Sequence, residues 1–65
     1  MDYLAWKDRA RCLAYQYRRQ AHLVLDTLVG MRVFLAPHLE YLEGESGRFY
    51  PIAIYHEDGR VESAV

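Results

Sequence analysis

The sequence predicts an α+β domain, with a long N-terminal amphipathic helix packed on a C-terminal antiparallel β-meander of about three strands. Three observations carry this expectation. Residues 1–29 contain no Gly or Pro, whereas all four Gly and both Pro fall within residues 30–65. Apolar residues recur at helical spacing in the first part and alternate in the second. Two turn sequences, Glu43-Gly44-Glu45-Ser46-Gly47 and His56-Glu57-Asp58-Gly59, then divide the second part at hairpin spacing.

The helix is expected over residues 2–29. Asp2 is placed to cap its start with a carboxylate, and Gly30 is placed to close its end in the left-handed conformation. Between them Tyr3, Trp6, Ala10, Leu13, Ala14, Tyr17, Ala21, Val24 and Leu28 share one face, while Lys7, Asp8, Arg11, Arg18, Arg19, His22 and Asp26 fall opposite. From Leu23 onward the apolar residues spread around the cylinder. The runs Leu-Val-Leu and Met-Arg-Val-Phe-Leu suit an early strand as well as a buried helix end.

Residues 31–65 are expected to form the meander. If Glu43 pairs with Arg48, and Tyr55 with Arg60, one sheet face collects Val33, Leu35, Leu39, Tyr41, Tyr50, Ile52, Ile54, Val61 and Val65. That face would pack on the helix. The other face carries Phe34, Phe49, Ala53 and Tyr55, too aromatic for a surface meant only for water. Pro51 cannot donate to a ladder, so a bulge or a late start of pairing is expected there.

At 65 residues the chain has room for one domain and one core, spanning 1–65. Its folded surface should be near ~4,300 Å², with only about 60% of the unfolded surface buried. Apolar residues make up 52% of the chain, including six Tyr, two Phe and one Trp, more than a small core hides. A 28-residue helix would also overshoot a globule of this size, leaving Tyr3 and Trp6 uncovered. Both points lead to an expected homodimer, with Tyr3, Trp6, Phe34, Phe49 and Tyr55 as candidate interface residues.

The net charge of −1 is unevenly spread. Residues 1–29 carry five basic and three acidic side chains, and residues 30–65 carry three basic and six acidic. Lys7, Arg11, Arg18 and Arg19, with Tyr15 among them, form a basic helix face suited to phosphates and one stacked base. This makes a nucleic-acid-binding accessory protein the alternative reading.

Metal and enzyme chemistry have least support. Cys12, His22, His38 and His56 are scattered with no ligand spacing, and no phosphate loop or nucleophile motif occurs. No catalytic residue, metal or cofactor is therefore expected. A lone Cys12 allows no internal disulfide and fits a reducing, cytoplasmic setting. No apolar run approaches the ~20 residues of a membrane span. The function expected from residues alone is a non-enzymatic protein–protein interaction module of adaptor or stoichiometric inhibitor type.

Overall fold

A computed structural model describes residues 3–44 and 47–64. Helix α1 (Tyr3–Tyr17) is followed by strands β1 (Ala21–Asp26) and β2 (Gly30–Leu35) and a 3₁₀ turn (Glu40–Glu43). Strands β3 (Phe49–Tyr55) and β4 (Val61–Ser63) complete the fold. The strands form one antiparallel sheet in the order β2-β1-β3-β4. The expected α+β arrangement is present, with four strands where about three were expected. The expected caps at Asp2 and the pairing of Val65 lie outside the described residues.

The helix boundary is corrected. α1 ends at Tyr17, and residues expected to continue it form the β1–β2 hairpin. Arg18 adopts the left-handed conformation (φ 53°), and the Arg19 N–H donates to the Ala14 carbonyl at 3.2 Å. That bond, from the sixth residue of the turn back to the first, is the Schellman closure. Gly30 does take a left-handed φ of 97°, but it closes the hairpin opposite Asp26. At about 22 Å, α1 is shorter than the molecule's longest extent of 30 Å, so the overshoot disappears.

Sheet register is corrected as well. β3 pairs with β1, and the segment expected to precede it as a strand is the 3₁₀ turn. At the β3–β4 turn His56 pairs with Arg60 (His56 N–H to Arg60 carbonyl, 2.8 Å), so Tyr55 lies opposite Val61. Gly59, at φ 94°, permits this three-residue loop, one residue shorter than the expected Tyr55–Arg60 pairing.

A bulge interrupts β3 beside Pro51, as expected. Leu23 faces Ala53 and Val24 faces Pro51, so Ile52 is the extra residue. Its effect reaches both cores, because an extra residue reverses which side the odd-numbered positions face. Ala53 and Tyr55 therefore point toward α1, whereas Phe49 points to the opposite side.

On the helix side Ala10 and Ala14 are buried against Ala21, Leu23, Met31, Ala53 and Tyr55, with Trp6 and Val33 at the margin. Two alanines let the helix approach the sheet closely. On the other side Val24, Phe34 and Tyr41 form a second core edged by Leu39 and Phe49. The 3₁₀ turn supplies Tyr41 to it and so covers the face expected to be open. Gly44 lies close beneath the Phe49 ring: a Cβ there would come within 2.7 Å of it, so a larger residue would push the ring or the turn aside.

Candidate functional site

The structure separates the residues expected at an interface. Tyr3 is 45% exposed and Trp6 half-buried on α1, where Lys7 lies 4.8 Å over the Tyr3 ring and Arg9 lies 5.4 Å over Trp6. Phe34 and Tyr55 are 9% and 6% exposed and fill the chain's own two cores: Tyr55 turns to the helix side, which corrects its assignment to the outer face, while Phe34 lies on the expected face but is covered by Tyr41 of the 3₁₀ turn. Phe49 is half-buried against Phe34 and Tyr41. Tyr50 and Val61, expected inside, are each 51% exposed.

Of the expected basic face, Arg11, Arg18 and Arg19 are exposed and Lys7 is half-buried. Arg11 is ion-paired with Asp8, and Arg18 and Arg19 occupy the helix closure. Tyr15 stands 77% exposed. Beside it runs an open groove of about 630 Å³ between α1 and the β3–β4 turn, lined by Arg11, Cys12, Tyr15, His56 and Asp58. A thiol and an imidazole share this groove, yet both imidazole nitrogens are occupied. His56 Nε2–H donates to Glu62 Oε1 at 3.0 Å, and Arg60 donates to Nδ1 at 3.4 Å. Among the described residues no group of three His, Cys, Asp or Glu side chains is placed to hold a metal ion. No helix of the described residues is long and apolar enough to cross a membrane.

The most elaborate polar cluster surrounds Asp26, whose side chain is fully buried. Arg48 grips it with two bonds of 3.2 Å, Arg32 adds a third at 3.2 Å, and the Leu28 N–H donates at 2.9 Å. The Arg48 bonds hold its carboxyl down at about 2 against the opposing effect of burial, helped by Leu28 and Arg32. Both guanidiniums also lie over rings, Arg32 at 4.6 Å from Phe34 and Arg48 at 4.7 Å from Phe49. The cluster fixes the hairpin tip and joins the two hairpins. The carboxylate is fully buried while the Arg32 and Arg48 side chains remain partly open to solvent, and the bonds between them tie β1 to β2 and to the start of β3.

That tip presents Leu28 and Val29, 73% and 67% exposed, at one end of β2. The Ala36 N–H donates to the Gln20 carbonyl at 2.9 Å, which sets the alternation of the β1–β2 ladder. In that alternation Gly30, Arg32 and Phe34 turn their backbone groups toward β1. Met31, Val33 and Leu35 turn theirs outward, where no strand lies among the described residues. Sequence reasoning placed this segment in the first strand of the meander, beside the strand that carries Pro51, whereas the structure pairs it with β1.

Comparison with protein-family models, curated proteins and solved structures finds no match for this chain.

Proposed function

We propose that this chain is a small non-enzymatic protein–protein interaction module, of adaptor or stoichiometric inhibitor type, acting as a homodimer. The single observation that carries the reading is the outward edge of β2. An edge strand exposes a row of unpaired donors and acceptors, and folded proteins blunt such edges with shortness, charge, proline or cover. β4 is blunted: it has three residues, with Arg60 before it and Glu62 within it. β2 is not. It runs for six residues, Gly30-Met31-Arg32-Val33-Phe34-Leu35, and its one charge is drawn back to Asp26.

An edge of that kind is suited to strand addition, in which main-chain bonds give affinity and side-chain pockets give selectivity. The exposed Leu28 and Val29 extend the same contact line.

Sedimentation at micromolar concentration tests the reading. A species of about twice 7.7 kDa is expected, and its population should change little between low and high salt. A monomer throughout would overturn it. Binding of an RNA or DNA oligonucleotide at physiological salt, lost on Arg18→Glu with Arg19→Glu and falling steeply with salt, would move the function to the nucleic-acid alternative.

A further inference from the structure

Resting on the reading of the chain as a self-associating module, we infer that two copies join β2 to β2 about a two-fold axis at Val33, making one continuous eight-stranded sheet. The register follows from the residues. Because Met31, Val33 and Leu35 face outward, antiparallel pairing with a second copy must place these three opposite one another. Centring the axis between the two copies of Arg32 would set like charges directly opposite, which is destabilising. Centring it at Leu35 shortens the ladder, because the chain turns at Ala36 and the Leu35 carbonyl already accepts from the His38 N–H at 2.8 Å.

Centring it at Val33 pairs the strand from Met31 to Leu35, with the Leu35 carbonyl shared between the His38 N–H of its own chain and the Met31 N–H of the second copy. Met31 then faces Leu35 of the second copy, and Val33 faces Val33 on the helix side, where both Val33 and Leu35 are only half-buried in one copy. On the other side Arg32 faces Phe34 of the second copy. Each Phe34 ring already has its own Arg32 guanidinium at 4.6 Å, so a second cation approaches the same aromatic system. The exposed Val29 comes beside the turn at Ala36 and Pro37 of the second copy. Isologous contacts of this kind close on themselves and leave no edge to propagate, and the outer strand at each end is the short, charged β4.

Chain synthesis with an N-methyl group on Val33 removes only an outward donor, since this N–H takes no part in the β1 ladder. The circular dichroism spectrum should be unchanged and the dimer dissociation constant raised about tenfold or more, two hydrogen bonds being lost across the axis. Isotope-filtered NMR on mixed labelled and unlabelled wild-type chains should show intermolecular contacts from the Arg32 Hα to the Phe34 Hα. A wild-type dimer lacking these contacts, or an N-methyl chain that dimerises as before, overturns the β2–β2 register while leaving the interaction module standing. A wild-type monomer overturns both.

Discussion

Two buried polar groups give the residue scale its clearest chemistry. His22 is 7% exposed, with Nδ1 at 2.8 Å from the Tyr41 hydroxyl and Nε2 at 3.3 Å from Gln20 Oε1. An amide oxygen only accepts, so Nε2 carries the proton and Nδ1 accepts from Tyr41. Burial lowers the His22 pKa below 6.5, helped by His56 and opposed by Glu62. The unfolded chain thus takes up a proton more readily, and stability should fall as pH drops below 6.5. Asp26 acts in a separate window. Its stabilisation is present above pH 3.8 and is lost as pH falls toward about 2, a limb that Asp26→Asn should flatten. Urea unfolding across pH resolves the two. Tyr41→Phe leaves the buried Nδ1 without its donor and should cost about 1–3 kcal/mol. Arg18 offers the opposite case, because a left-handed φ of 53° strains a residue with a Cβ. Arg18→Gly should raise stability by about 0.5–1 kcal/mol in the same assay, the relief of strain exceeding glycine's entropic cost.

At the scale of elements, the Ile52 bulge decides which side chains are structural. Without it, Phe49, Ala53 and Tyr55 would share one face, as the plain alternation of the sequence suggests. With it, Tyr55 enters the core beneath α1 and Tyr50 falls beside Leu25 with 51% exposure. Tyr55→Ala should therefore cost about 3–5 kcal/mol, as large core truncations do, against about 0.5 kcal/mol or less for Tyr50→Ala. Thermal melts of the two variants compare them, and equal losses would contradict the bulged register. The helix end shows a related ambiguity. β1 is buried on both faces, with Ala21, Leu23, Leu25 on one and His22, Val24, Asp26 on the other, so its apolar run carries no clean period of two. One local signal was available. Residues 1–23 contain no Val, Ile or Thr, and Val24 begins the β-branched positions.

For the whole molecule, size behaves as the chain length requires. The surface is 4604 Å² and the radius of gyration 11.0 Å, in line with scaling for a chain this short. A domain of this size has few kcal/mol in hand, and association adds to them by mass action. If β2 edges join, the urea midpoint should rise as protein concentration is raised through the dimer dissociation constant. A concentration-independent midpoint would mean that association contributes nothing to folding.

The sequence by itself determined the α+β class, the N-terminal position of the helix, the inward run of Trp6, Ala10 and Ala14, the turn at Gly59 and the irregularity at Pro51. Each is a local matter of periodicity, a left-handed glycine or a missing N–H. Tertiary structure alone decided that β1 is a strand, that β3 lies beside it, and that Phe34, Phe49 and Tyr41 meet in a second core. It also decided that Asp26 gathers Arg32 and Arg48, and that β2 is left at an edge. Those outcomes depend on which hairpin docks against which, a choice between pairings of similar local propensity. Burial on both faces of β1 settles it, because only that arrangement gives two apolar faces one strand to share.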